Sequence, residues 1–363
     1  MGINDLKEYF PVWYEEWLFQ ALSIKKGDET KDDFLKPLFN LNKNWLKENY
    51  DKKETSWDDL HVAKAYAVYY MSINIPKLWM VLDNSTKWTP EGITTVTDYG
   101  CGPGTFLWSY LFYLRKRFPE QLQKMTTVKG VDSSPANLEI AQSLFEDLKK
   151  IKEFKHLTAE FSEGKWQDHY EQDSSDLKIF GNALVESTES MDLILETPFK
   201  NMLIIEPGTS KHFQRMRKVR DVFADKHVAI HFPCTAQSNS CPLSSDNWCH
   251  FHVNRFILPF IQRMSNIAGR KNHRHHFCSF LFSNTTPSIT KGQWRLLSNT
   301  RKAKGTAIRY ICNGQNVIEA VLNKKQKSDQ NQDFIKAESG SVCFCPNDIA
   351  NSKLTASHSF QKI

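Results

Sequence analysis

The hydrophobic rhythm of the chain changes twice. Up to about residue 90, Trp45, Trp57, Tyr66, Tyr69, Tyr70 and Trp79 recur among charged residues without strand-like alternation, which predicts helices. Asp58-Asp59 ahead of the Ala- and Tyr-rich run to Tyr70 reads as a capped helix start. Pro90-Glu-Gly92 breaks this region. From Ile93 the pattern alternates. Residues 94–98, 126–132 and 201–206 read as strands, with 191–195 a further candidate, and residues 105–118 and 134–151 read as amphipathic helices. Strands alternating with helices predict an α/β fold: a doubly wound parallel sheet with right-handed crossovers. Farther along, short β-like runs at 280–283, 294–297, 307–312 and 316–321 predict a β-rich C-terminal part. Residues 324–332 read as a polar linker, and the Ser-rich stretch from 347 as a frayed tail. No internal repeat is present. The expected division is a helical region at 1–90, a Rossmann-like domain at 91–230, a cysteine-bearing β module at 231–345 and a polar tail at 346–363.

With 363 residues, 40% of them hydrophobic, the chain can bury a large core. No apolar run reaches the length of a membrane span. The first residues carry acids early and show neither a secretory signal nor a clear transit peptide, which predicts a reducing compartment: cytoplasm, or mitochondrial matrix in a eukaryote. Net charge is +6. Its distribution says more, because basic runs at 215–220, 270–274 and 301–304 crowd the second half and favour an anionic partner such as RNA.

Candidate chemistry concentrates in two places. The first is the island running from His231-Phe-Pro-Cys234 through Cys241-Pro to Trp248-Cys249-His250, which places three of the eight cysteines among polar residues. Thiols gathered in a polar, proline-stiffened loop suit soft-metal binding better than apolar packing. The second is Asp98-Tyr-Gly100-Cys-Gly102-Pro-Gly104-Thr at the end of a predicted strand, followed by Val131-Asp132-Ser133-Ser134 at the end of the next. Glycines let a backbone turn tightly against a ligand, and an acid after the second strand can accept both ribose hydroxyls. The glycine spacing is one residue shorter than the dinucleotide fingerprint. The pair resembles the first two motifs of class I S-adenosylmethionine-dependent methyltransferases, which assigns Asp98, Gly100, Gly102, Gly104, Asp132 and Ser133 to that cofactor.

Taken together, these segments resemble the methyltransferase-like proteins of small ribosomal subunit assembly, found in mitochondria and bacteria. The likeness runs from Ala65-Tyr66 through the glycine loop, Ile204-Ile-Glu206-Pro-Gly208-Thr209, Arg220, Pro233-Cys234, Cys241-Pro242 and Trp248-Cys249-His250-Phe251 to Trp294-Arg295, Lys302-Ala-Lys304-Gly305 and Cys312. The resemblance implies a four-iron four-sulfur cluster on Cys234, Cys241, Cys249 and Cys312. Four thiolates equally suit structural zinc, and His250 and His252 stand by as spare ligands. Near the C-terminus the chain departs from the family, reading Val342-Cys343-Phe-Cys345-Pro346 and so adding two thiols.

Two functions compete, with a metal- or redox-sensing protein whose cluster reports iron status as a third. One is a methyltransferase acting on the small ribosomal subunit. The other is a non-catalytic assembly factor that binds rRNA through its basic half and keeps cofactor and cluster as structural parts. Methyl transfer mainly needs alignment, so the lack of an acid–base triad weighs against neither. Residues 180–184, Phe-Gly-Asn-Ala-Leu, lack the Asn/Asp-Pro-Pro-Tyr type clamp of many base methyltransferases. That favours the second function. Asn182 can line the pocket or cap a helix.

Overall fold

The computed structural model describes residues 3–45, 57–85, 87–184, 191–236, 240–285, 292–346, 349 and 352–363. The N-terminal part is helical, as expected. After a 3-10 turn at Ile3–Tyr9 come α1 (Tyr14–Ala21), α2 (Asp32–Trp45), α3 (Leu60–Tyr66) and α4 (Ser72–Asp83). Asp59 caps α3 by accepting from the His61 backbone N–H at 2.8 Å. A π-helical turn, Ala67–Met71, joins α3 to α4 and is buried along its whole length. Indole donors tie these helices to the next layer: Trp17 Nε1 donates to the Leu144 carbonyl at 3.0 Å and Trp79 Nε1 to the Ser109 carbonyl at 2.7 Å.

The doubly wound part follows. It comprises β1 (Thr95–Tyr99), α5 (Thr105–Arg117), α6 (Pro119–Lys124), β2 (Thr127–Asp132), α7 (Pro135–Leu148), β3 (Thr158–Glu163), α8 (Gln167–Tyr170), β4 (Leu177–Gly181), α9 (Met191–Glu196), β5 (Asn201–Pro207), α10 (Ser210–Asp225) and β6 (Ala229–Phe232). It closes with β7 (Phe251–Asn254), α11 (Pro259–Ile267) and β8 (Arg274–Ser283). The main path of the sheet runs β3-β2-β1-β4-β5-β8-β6, with β7 pairing β8 as a branch. Strands β1 to β5 pair in parallel, whereas β8 runs antiparallel to β5, β6 and β7.

A second sheet contains β9 (Gln293–Leu296), β10 (Arg301–Ala303), β11 (Thr306–Cys312), β12 (Val317–Asn323), then, after α12 (Asp333–Lys336), β13 (Val342–Phe344), β14 (Lys353–Leu354) and β15 (Gln361–Lys362). Its order is β14-β12-β11-β9-β13-β15, with β10 on β11. The fold class is therefore the expected one: a class I methyltransferase-like α/β sheet with helices before it and a β-rich part after it.

Three details differ from the sequence reading. Residues 191–196 form a helix rather than a strand: only Ile194 is buried, and exposed Asp192 and Glu196 stand four residues apart, the spacing of one helix face. The expected boundary at residue 230 falls inside the first sheet, since β6 ends at Phe232 and β8 is wedged between β5 and β6. The predicted frayed tail is built into the second sheet: β14 pairs β12, β15 pairs β13, and Phe360 is fully buried against Phe334.

Candidate functional site

Strand β1 delivers Asp98 to the bottom of the glycine turn. Gly100, Gly102 and Gly104 all have positive φ (70°, 53° and 83°), a run that side-chain-bearing residues would strain. The Gly100 backbone N–H donates to the Val131 carbonyl at 2.7 Å, which locks the turn against the end of β2. There Asp132 accepts from the Gly102 N–H at 2.8 Å with one oxygen and from the Ser134 N–H at 2.9 Å with the other. Ser134 then caps α7, accepting from the Asn137 N–H. Ser133 is exposed at this corner. The structure thus brings Asp98, the three glycines and Asp132 into one loop pair.

Asp98 is 1% exposed. One of its oxygens accepts from the Phe106 N–H at 3.3 Å, and the other has no partner among the described residues. Burial, helped by the nearby Asp132 charge, pushes its carboxyl well above the usual range. Tyr66 closes over this loop. Its phenol, pushed up first by burial, feels the Asp132 and Asp98 charges and bonds Asn74, while its ring stacks on Tyr70 at 5.4 Å. Of the residues in the competing clamp argument, Asn182 adopts φ 58° and donates its N–H to the Ile205 carbonyl at 2.8 Å, and the Leu184 N–H donates to buried Glu206 at 2.9 Å.

The four cysteines converge from three separate segments. Cys249, Cys312, Cys234 and Cys241 each lie within electrostatic reach of the other three. Burial raises the Cys249 and Cys241 thiols and pushes Cys312 up to about 12, with the neighbouring thiols adding to the rise for all three. Cys312 ends β11 and accepts from the Gly314 N–H at 3.2 Å. Gly314 permits the meeting, since a Cβ there would lie 2.2 Å from the Ala236 carbonyl oxygen, just past Cys234. Among the described residues no group of three or more His, Cys, Asp or Glu is placed as a single-ion site. A tetrahedral zinc site needs sulfurs about 3.8 Å apart, given Zn–S bonds near 2.3 Å. The geometry of the described residues therefore favours neither zinc nor a cluster over the other.

Two buried guanidiniums face these thiols, and they are what the sequence reading did not assign a task. Arg220 is fully buried, bonds Asp221 at 2.7 Å and lies against Cys234, yet its Nε and Nη2 have no oxygen or nitrogen partner. Arg295, 1% exposed, donates to the carbonyls of Pro233, Asn84 and Gly340 at 2.6–2.9 Å and lies over the Phe232 ring. Its Nη2 is unpartnered, and it faces Cys249, Cys234 and Cys312. Buried positive charge with spare donors calls for an anionic neighbour. The basic run at 215–220 is thus partly inward-facing: Arg217 donates to the Cys241 carbonyl at 2.9 Å, and Asp221 accepts from the Cys241 N–H.

The spare ligands are not near the thiols in this sense. His250 and His252 project from the opposite side of their strand to Cys249 and meet His276 instead. Cys101 sits under the glycine turn and Cys278 beside Pro207 and Met216. Cys343 lies across Arg295 in the second core, facing Arg309 and Asp333.

A family model described as the mitochondrial small ribosomal subunit Rsm22 matches residues 60–341. No curated protein sequence matches the chain. Solved structures similar to it include a putative class I S-adenosylmethionine-dependent methyltransferase from Listeria monocytogenes, 10% identical, covering 79% of this chain and 91% of that one at a TM-score of 0.39. A putative RNA methyltransferase from Pyrococcus horikoshii is 12% identical, covering 56% and 82% at a TM-score of 0.33. TrmK from M. capricolum, solved with S-adenosyl-homocysteine, is 9% identical, covering 58% and 70% at 0.32. Scores this low transfer none of these neighbours' activities.

Proposed function

Because the chain belongs to the Rsm22 family of the mitochondrial small ribosomal subunit, we propose that it is an S-adenosylmethionine-dependent methyltransferase-like protein of that subunit, carrying an iron–sulfur cluster on Cys234, Cys241, Cys249 and Cys312. The observation that carries the cofactor assignment is the Asp98–Asp132 loop pair, with its unpartnered Asp98 oxygen beneath a positive-φ glycine turn. S-adenosylmethionine brings a sulfonium and an ammonium, the charges a buried carboxylate lacks here, and supplies an already activated methyl group. On the protein side, Asp132 fixes the loop and is the ribose-hydroxyl acceptor, Asp98 sets the potential beneath it, and Tyr66 excludes water. The matrix is the proposed compartment. Among the described residues no helix is long and apolar enough to cross a membrane.

The cluster assignment rests on the four converging thiols and the spare guanidinium donors of Arg220 and Arg295. Its part is structural: Cys312 leaves the second sheet while the other three leave loops of the first, so ligation staples the two sheets.

A second reading, the non-catalytic assembly factor, is favoured by one feature: the segment after β4 offers no clamp for a target amine. Methyl incorporation from labelled S-adenosylmethionine into purified small subunits separates the two. Catalysis predicts stoichiometric incorporation that Asp132→Ala abolishes. Saturable cofactor binding in calorimetry without incorporation leaves the assembly role, and no binding at millimolar ligand removes the cofactor from both.

A further inference from the structure

A Trp–His ladder stands at the carboxyl edge of the first sheet. Trp248, an exposed side chain at 37%, stacks on His250 at 5.2 Å and 28°. His250 meets His276 at 5.4 Å, and His276 meets His252 at 5.6 Å. The register explains the alignment: His252 pairs His276 across β7 and β8, and alternation puts His250 on the same face while Phe251 and Phe277 point into the core. Trp248 Nε1 donates to the Gly208 carbonyl at 3.1 Å, which pins the indole just beyond the end of β5. His276 lies one step past the Pro207–Phe277 pair that ends β5 against β8. Ligands of doubly wound sheets bind outside these carboxyl ends.

Positive charge predominates along this part of the chain: from Asn247 to Ile318 there are eleven Lys or Arg and no Asp or Glu, with exposed Asp246 just before the stretch. Exposed Arg274 and half-buried Arg255 lie within electrostatic reach of His276. Aromatic surfaces beside guanidiniums are what unpaired bases on a phosphate backbone recognise.

We propose that the Trp248–His250–His276 ladder is a stacking platform for the unpaired bases of single-stranded RNA, with Arg255 and Arg274 holding the backbone alongside. The proposal rests on the reading that the protein works on the small ribosomal subunit, and it narrows the nucleic-acid contact from the basic second half as a whole to the mouth of the cofactor fold. It is tested with the full-length protein and three fluorescent probes: a single-stranded ten-nucleotide RNA, its duplex, and an abasic strand of equal length. The single strand binds tightest, and the Trp248→Ala, His276→Ala double variant loses about ten- to a hundredfold, the range of one stacked base. That variant binds the single strand about as weakly as the wild type binds the abasic one. Trp248→Phe keeps most of the affinity but loses the tryptophan quenching that binding produces, which separates stacking from misfolding. Unchanged affinity in the double variant, equal binding of abasic and normal strands, or preference for the duplex overturns the platform and leaves the ribosomal reading standing. An acidic peptide that competes at equal affinity reassigns the face to a protein partner and overturns it too. Failure of every RNA to bind overturns both.

Discussion

The glycine loop and the thiol ring are two sites built on opposite principles. The loop is made of backbone. Its donors go to partners within two adjacent strands, Gly100 to Val131 and Gly102 to Asp132. The ring is made of side chains from β11 and the island, and it gathers buried Cys249 and three half-buried thiols beside two guanidiniums that retain unpaired donors. The loop carries one buried, half-satisfied carboxyl, whereas the ring gathers four thiols and two guanidiniums with spare donors. Emptying them should therefore have very different consequences.

The largest effect is expected at the ring. Cys249→Ser or Cys312→Ser should strip the metal and destabilise the protein by several kcal/mol or prevent its accumulation, because metal affinity is folding free energy. Cys101→Ser and Cys278→Ser should leave bound iron unchanged, as a metal assay on each variant will show. Equal iron in all four variants would break the contrast between the two sites.

Next comes Arg295→Leu, which leaves three carbonyls without their donor and should cost about 3–5 kcal/mol in denaturant unfolding, at one to three per buried orphan with partial relaxation.

Asp98 sharpens the comparison from the other side. Its folded pKa is raised by burial, so the native state holds the proton more strongly than the unfolded state, and stability contributed here is lost as pH rises above the unfolded value near 3.9. Asp98→Asn should therefore raise the stability of the cofactor-free protein by about 1–3 kcal/mol at neutral pH, with the gain vanishing in acid below that value. The same change should weaken S-adenosylmethionine binding. Thermal melts across pH, with and without cofactor, read both. A gain that grows towards low pH would contradict the assignment. The smallest effect is expected from replacing Arg301, Lys302 and Lys304 together. Arg301 already pairs with Glu319 at 3.4 Å, so only a modest decrease in the salt dependence of RNA binding should follow.

How far the sequence could be read follows the same divide. The loop was legible because its residues are neighbours, and Asp98, the glycines and Asp132 meet through two adjacent strands whose β-branched runs stand out. Three of the ring's thiols were visible as an island, but Cys312 was assigned by resemblance, since no local pattern links it across sixty residues. Arg220 and Arg295 had no local signal at all, as a buried arginine reads like a surface one until its neighbours are known. The 191–196 helix was misread because a six-residue apolar–acidic run fits either period. The paired tail and the ladder were missed for the opposite reason: β14 and β15 are two-residue strands, and the ladder depends on cross-strand register. The acid-free stretch from 247 to 318 was the one overlooked sequence signal for the ladder.

The central claim, that the four thiols hold a cluster which staples the two sheets, is tested most directly by measuring iron and acid-labile sulfide in protein purified without oxygen. About four of each per chain, lost together in Cys249→Ser, is the expected result. One equivalent of zinc without sulfide, or metal-free protein as stable as the wild type in Cys312→Ser form, would contradict it.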